Sequence, residues 1–154
     1  MADTSAVRLM ESIFARTDRQ TRDIIAAQQS LAAEVDTINV LIGDGASVLV
    51  PGVAAALRVD FRARITGSFV QEFDGTSGSV VLDIAKAQPG PAPSFASIVA
   101  STPPTIASGR YGADDILAGW IVDIDRGDLL RFSVASASAI MRILVALRIR
   151  RLEP

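Results

Sequence analysis

The stretch AALRVDFRARIT, residues 55–66, decides the fold class because apolar and polar side chains alternate along it. Arginine or aspartate occupies every second position from Arg58 to Arg64, and apolar residues occupy the positions between. A period of two residues is typical of an antiparallel strand with one face on a core and the other in solvent. The apolar face of this predicted strand is formed by Leu57, Val59, Phe61, Ala63 and Ile65.

Shorter segments on both sides carry similar patterns, separated by turn residues such as Gly, Asp and Pro. The other predicted strands cover residues 47–50, 68–73, 79–86, 117–123, 129–135 and 140–149. Five prolines argue against a regular sheet over residues 87–110, where we expect a long connection with one helical turn at 94–100. About eight short strands separated by turns predict a mainly β fold, an antiparallel β-sandwich of jelly-roll-like type.

The N-terminal part differs from the rest because residues 4–38 contain neither Gly nor Pro. Thr4 or Ser5 can cap the start of a helix, and Gly43 follows soon after its predicted end. The sequence therefore predicts a long N-terminal α-helix and two parts: residues 1–38 as a helical oligomerisation or attachment segment, and residues 39–154 as a β-sandwich domain.

Along this helix, mostly apolar residues recur at alternating spacings of three and four residues. This heptad pattern predicts that the helix forms a coiled coil. A helix of about 50 Å is longer than a small β-domain can cover, so we expect the seam to need another chain, most simply in a homotrimer. The alternative is a single amphipathic helix that packs on its own domain. The predicted seam consists of Val7, Met10, Phe14, Thr17, Thr21, Ile24, Gln28, Leu31, Val35 and Ile38. Its polar residues, Thr17, Thr21 and Gln28, are expected to fix register and oligomer state.

The composition excludes several classes of function. The chain has no cysteine and no histidine, which rules out disulfides, thiol catalysis and His-based triads. Its net charge is −2 and its arginines are scattered, so we expect no nucleic-acid binding. The N-terminal residues lack the apolar core of a signal peptide, and no apolar run is long enough to cross a bilayer. We expect synthesis in a cytoplasm and no membrane insertion.

Acidic residues in the C-terminal half allow two further hypotheses. Asp123, Asp125 and Asp128 are loosely spaced like calcium ligands, but aspartate also favours turns because it bonds to its own backbone. Two carboxylates among Asp114, Asp115 and Asp123 could act in glycoside hydrolysis. We favour the structural interpretation, and expect no metal, no cofactor and no catalytic residues.

Two aromatic residues are candidates for contact with sugars. Trp120 lies between the apolar residues Leu117 and Ile121, which favours a place in the core. Arg110 and Tyr111 lie in a Gly-rich segment and are the better candidates for an exposed surface contact.

Four segments together resemble a β-domain of phage and prophage minor structural proteins, of tail-fibre or head-fibre type. These are DGTSGSVVLDIAK at 74–86, PPT at 103–105, LAGW at 117–120 and GDLLRFSV at 127–134, and the resemblance extends over residues 38–150. It implies a jelly-roll-like trimeric domain on a phage-type or gene-transfer-agent-like particle, with no catalytic residues to transfer.

The residues predict projection and assembly, and the resemblance implies that the protein is a structural component of a virion, made in a host bacterial cytoplasm. It would be a fibre, spike or capsid decoration subunit that assembles as a homotrimer through its helix, contacts other virion proteins and projects its β-domain. The alternative is a carbohydrate- or receptor-binding module that attaches to a glycan of the host surface. A third hypothesis is a glycan-cleaving enzyme.

Overall fold

The computed structural model describes the backbone of residues 4–33 and 35–152, and the side chains of residues 4–27 and 35–152. The chain divides into two compact units, a helical unit that ends at Glu34 and a β unit that begins at Val35. The prediction of a mainly β, antiparallel fold preceded by a long N-terminal helix is confirmed.

Helix α1 covers Thr4–Ala33, a run of 30 residues without Gly or Pro. At 1.5 Å per residue it is about 45 Å long. Ile38 lies in a strand instead, opposite Leu147, so the prediction that the helical seam extends to Ile38 was wrong. The ladder bonds of that strand and the burial of Val40 and Ile42 there outweigh the heptad spacing. The two units meet at residues 34 and 35, earlier than the predicted boundary at 38 and 39.

Within residues 35–152 the structure describes ten strands. Their bounds are β1 Asp36–Ile42, β2 Gly52–Arg58, β3 Ala63–Glu72, β4 Gly78–Ala87, β5 Ala96–Ser97, β6 Thr105–Gly109, β7 Tyr111–Asp114, β8 Asp123–Ile124, β9 Leu129–Ser138 and β10 Ile143–Arg151.

The strands form two antiparallel sheets with one shared apolar core. The first sheet has the order β1-β10-β3-β7, with β8 also paired to β3. The second has the order β2-β9-β4-β5, with β6 also paired to β4. Both sheets contribute fully buried side chains to the same cluster, such as Val145 from β10 and Phe132 from β9.

The segment 55–66 alternates as predicted but does not form one strand. Strand β2 ends at Arg58 in the second sheet, and β3 begins at Ala63 in the first. Val59, Ala63 and Ile65 are nonetheless all buried. The alternation persists across the break because both sheets face the same core, so the inward side chains keep their phase while the chain changes sheets.

Other differences concern the connections. Residues 47–50 form no strand, and the predicted strand 117–123 contributes only Asp123 to β8. A turn at Leu117, which has a positive φ of 52°, occupies most of that segment. The predicted helical turn at 94–100 contains strand β5 instead, and β6 lies in the segment 87–110, where we expected no regular sheet. Strands β1 and β7 were not predicted either. Within β10, the side chains of Ile143, Val145, Leu147 and Ile149 all face the core.

Candidate functional sites

Helix α1 exposes its apolar face. Phe14 is 67% exposed and Met10 57% exposed, far above the values of core residues. The remaining large apolar side chains that α1 exposes are Val7, Leu9, Ile13, Ile24 and Ile25. An apolar stripe of this length indicates a contact surface for another helix or protein. The side chains of Gln28 and Leu31 lie outside the described residues.

The threonines of the seam satisfy their own hydroxyl groups. Oγ1 of Thr17 donates to the carbonyl oxygen of Ile13 at 3.0 Å, and Oγ1 of Thr21 donates to the carbonyl oxygen of Thr17 at 2.9 Å. Bonds of this kind leave no unpaired donor. The two hydroxyls therefore need no partner across an interface, and the seam is less polar here than the sequence indicates.

One edge of the apolar stripe of α1 is charged. Asp18 and Arg22 form an ion pair one turn apart, at 2.6 Å, and both side chains are mostly exposed. Such pairs contribute about 0.3–0.5 kcal/mol to a helix. This charged edge is thus suited to solvent, and only the apolar stripe requires a partner.

Arg110, predicted as a surface contact, is held by a buried carboxylate. Its Nε donates to Oε2 of Glu72 at 2.7 Å, and the Glu72 side chain is fully buried. The same carboxylate accepts the backbone N–H groups of Asp74 at 2.6 Å and Thr76 at 3.1 Å. Arg110 therefore anchors the β3–β4 turn, and less of it is available to a ligand than the sequence indicates.

The electrostatics of Glu72 support this structural role. Burial acts to raise the pKa of its carboxyl group, but the hydrogen bonds from Arg110, Thr76 and Asp74 outweigh burial and lower the pKa below its usual value. The carboxylate consequently stays ionised and holds the turn at neutral pH.

Tyr111 is the more accessible half of the predicted contact. It is 59% exposed, and its ring packs edge-on against Phe69 with 5.3 Å between centroids. The two rings border a cleft of about 280 Å³ on the outer face of the first sheet, which we call the β3–β7 cleft. It is lined by Thr37, Gly67, Ser68, Phe69, Tyr111, Ala113, Asp115, Ala146 and Arg148.

Strand register explains the shape of the β3–β7 cleft. Ala146 of β10 and Ala113 of β7 flank Phe69 of β3 in one row across the sheet. Because both neighbours are small, the surface on either side of the Phe69 ring is low. At one end of the cleft, Nη2 of Arg148 donates to Oδ1 of Asp115. The cleft thus has an aromatic border and a charged end.

The other acidic residues are engaged within the β unit. Asp123 pairs with Arg64 at 2.9 Å, a hydrogen bond that lowers the pKa of the Asp123 carboxyl. Asp128 is buried and accepts the N–H of Asp125, with Nζ of Lys86 at 3.4 Å. Within the described part of the chain, no three acidic side chains are grouped as metal ligands would be. These contacts support the interpretation of the Asp-rich segment as a turn.

Asp114, from the glycosidase hypothesis, caps a turn. Its Oδ1 accepts the N–H groups of Ile116 at 2.8 Å and Leu117 at 3.1 Å. Trp120 is buried, as predicted, and its Nε1 donates to the carbonyl oxygen of Thr102 at 2.8 Å. Among the helical residues that the structure describes, none belongs to a helix long and apolar enough to cross a membrane.

No known family profile matches the sequence, and no curated protein matches it. The SPBc2 prophage-derived protein YomS aligns with a TM-score of 0.40 and 10% identity, over 74% of this chain and 94% of that one. The capsid of Ralstonia phage GP4 gives a TM-score of 0.41 and 12% identity, over 78% and 84%. The CBM22-1 xylan-binding domain of Xyn10C from Paenibacillus barcinonensis gives 0.40 and 10%, over 79% and 87%. Alignments this weak assign neither family nor function.

Proposed function

We propose that this protein is a structural component of a phage-type particle, a fibre, spike or decoration subunit that assembles through α1 and projects its β unit. The observation that carries the proposal is the exposed apolar stripe of α1, from Val7 to Ile25. Isolated helices are marginally stable in water, and their stability in proteins comes mostly from packing of an apolar face. The apolar face of this helix therefore needs a partner surface to pack against.

A homotrimer is the assembly that we propose. Ile13 and Ile25 flank the seam of Val7, Met10, Phe14 and Ile24, which makes the apolar stripe wider than a strict two-residue seam. A wider stripe buries more of its area when each helix contacts two neighbours instead of one. Self-association also supplies the same apolar surface on every partner.

The particle context rests on the sequence resemblance to phage minor structural proteins. In that context the partners are other copies of the chain and other virion proteins, and the location is the virion. We propose no catalytic role and no cofactor. This is supported by the absence of His and Cys from the sequence and by the structural bonds of Asp114, Asp123 and Asp128.

The proposal includes a jelly roll for the β unit. Strands β1 to β4 alternate between the two sheets, and β9 and β10 return to opposite sheets beside β2 and β1. Two antiparallel sheets wound from one chain in this way are the arrangement of jelly-roll domains, which occur in viral capsids.

Light scattering of the full chain tests the assembly. We expect a mass of three times 16.2 kDa for the natural sequence. Ile24→Asp places a charge in the stripe and should give a monomer with an intact β unit. Ser12→Asp, which places the same charge on the polar side of α1, should leave the trimer intact. A monomeric natural chain at micromolar concentration would contradict the proposal.

The second candidate function is binding of a host-surface glycan. It is favoured by the β3–β7 cleft, which is lined both by the exposed ring of Tyr111 and by the polar groups of Arg148 and Asp115.

A further inference from the structure

We infer that the β3–β7 cleft binds one uncharged sugar ring of a glycan, with Tyr111 as the stacking surface and the Arg148–Asp115 pair as the hydroxyl-binding group. The inference rests on the second candidate function and specifies its site and its ligand class. The inference does not depend on assembly through α1, so sugar binding and trimer assembly can each be disproved without the other.

The aromatic border is the first argument. Tyr111 leaves 59% of its surface in solvent, whereas Trp120 and Phe132 are buried in the core. The edge-on contact with Phe69 holds the Tyr111 ring in one orientation. A rigid ring with an apolar face and a polar hydroxyl suits the face of a pyranose, which presents C–H groups on its plane and hydroxyls at its rim.

The size of the cleft is the second argument. Pockets for drug-sized ligands start at about 300 Å³, and this cleft holds about 280 Å³. That volume suits one ring rather than several. Because the cleft lies open on the outer face of a sheet, the rest of a polysaccharide chain can extend past it without entering the protein.

The charged end is the third argument. Arg148 and Asp115 keep 49% and 68% of their side chains exposed, and a pair so exposed adds little to stability. Its guanidinium donates and its carboxylate accepts, while sugar hydroxyls do both. The two opposite charges cancel locally, which favours an uncharged sugar over an acidic one.

Gly67 makes room for this pair. A β-carbon at position 67 would lie 2.5 Å from Oδ1 of Asp115 and 2.7 Å from Nη2 of Arg148. The pair therefore lies directly over the backbone of β3, and a side chain at this position would displace it. Gly67→Ala should consequently weaken binding while Tyr111 is unchanged.

Binding of the full chain to immobilised neutral polysaccharides, namely glucan, mannan, galactan and xylan, tests the inference, with polygalacturonan as the acidic comparison. We expect binding to at least one neutral polysaccharide. Tyr111→Ala should weaken it by at least about tenfold, and Tyr111→Phe, which keeps the ring, by less than about threefold. Asp115→Asn and Arg148→Gln should each weaken it too.

Ile116→Ala is the matched control, because Ile116 is 87% exposed beside Asp115 and does not line the cleft. Circular dichroism of each variant verifies folding. Absence of binding to all four neutral polysaccharides, binding to polygalacturonan alone, or equal loss in Tyr111→Ala and Ile116→Ala would overturn the inference. Light scattering of the same samples reports on trimer assembly separately.

Discussion

Helix α1 and the β unit place their apolar side chains in opposite ways. In the β unit Phe132 and Leu130 are completely buried, whereas in α1 Phe14 is 67% exposed. The β unit therefore has an internal core that can stabilise it alone, while α1 has a surface that requires a partner. The difference indicates that folding and assembly are separable in this protein, and the predictions below test that separation.

The largest effect is expected from Phe132→Ala in the shared core. Removing a fully buried phenylalanine side chain costs about 3–5 kcal/mol, because it leaves a cavity between the sheets. Chemical denaturation followed by tryptophan fluorescence of Trp120 should show this loss. Phe14→Ala in α1 should leave the same transition unchanged. This should hold both at a concentration where the chain is trimeric and at one where it is monomeric. Equal losses in both variants would show that the two units fold together.

Glu72→Gln is expected to have the next largest effect. The folded-state pKa of Glu72 lies below its usual value of 4.5, so its ionised form stabilises the β unit above that pH. This contribution is lost as the pH falls through the folded-state pKa. The variant should have a melting temperature several degrees lower at pH 7, and the difference from the natural sequence should shrink in acid.

Asp60→Asn is the control for that experiment, because Asp60 is 73% exposed on the connection between β2 and β3. It should leave the melting temperature at pH 7 nearly unchanged. A constant difference between Glu72→Gln and the natural chain from pH 7 to pH 3 would contradict the ionic role of Glu72.

Glu72 also shows where sequence reasoning reached its limit. Simple alternation from Ile65 places Glu72 on the outer face of β3. The register of β3 against β10 shifts at Thr66, which is an extra residue between Ile65 and Gly67, and the shift turns Glu72 inward. Gly67 interrupts the strand pattern at that bulge, but the positions that alternate with Ile65 and those that alternate with Thr66 both contain apolar and polar residues. The sequence therefore does not show which of the two sets faces the core after the bulge.

The end of α1 was unpredictable for a related reason. Ile38 fits the heptad that begins at Val7, and it equally fits the alternation of Ile38, Val40 and Ile42. Pairing with β10, more than a hundred residues away in sequence, decides between the two periods. The helix itself was predictable because residues 4–33 lack Gly and Pro.

The cleft could be predicted only in part. The sequence indicates exposure of Tyr111, since it follows a Gly-rich segment. Phe69, Asp115 and Arg148 come from three separate segments, which only the pairing of β3 with β7 and β10 brings together. The sequence therefore contains the residues of the cleft but does not show that they lie close together.

A smaller effect is expected from Thr17→Val in α1. The Thr17 hydroxyl donates to the carbonyl oxygen of Ile13 in its own helix. Removing the hydroxyl should therefore break no hydrogen bond to a neighbouring chain. The added methyl group enlarges the apolar stripe and should strengthen assembly by about 0.8 kcal/mol per chain. Dilution series by light scattering should show the trimer persisting at lower concentration. Weaker assembly would mean that Thr17 bonds to a neighbouring chain.

The smallest effect is expected from Asp18→Asn, on the charged edge of α1. The change removes the Asp18–Arg22 pair, and both partners are more than half exposed, so helix stability should fall by about 0.3–0.5 kcal/mol. The loss should be detectable as a small decrease in helical circular dichroism at low salt and should vanish at high salt, because screening weakens exposed pairs. Light scattering should show an unchanged trimer, since Asp18 lies at the edge of the apolar stripe and its side chain is 62% exposed. Dissociation on this substitution would place this charged edge of α1 in the interface, and the contrast between a solvent-facing and a partner-facing part of the helix would then be wrong.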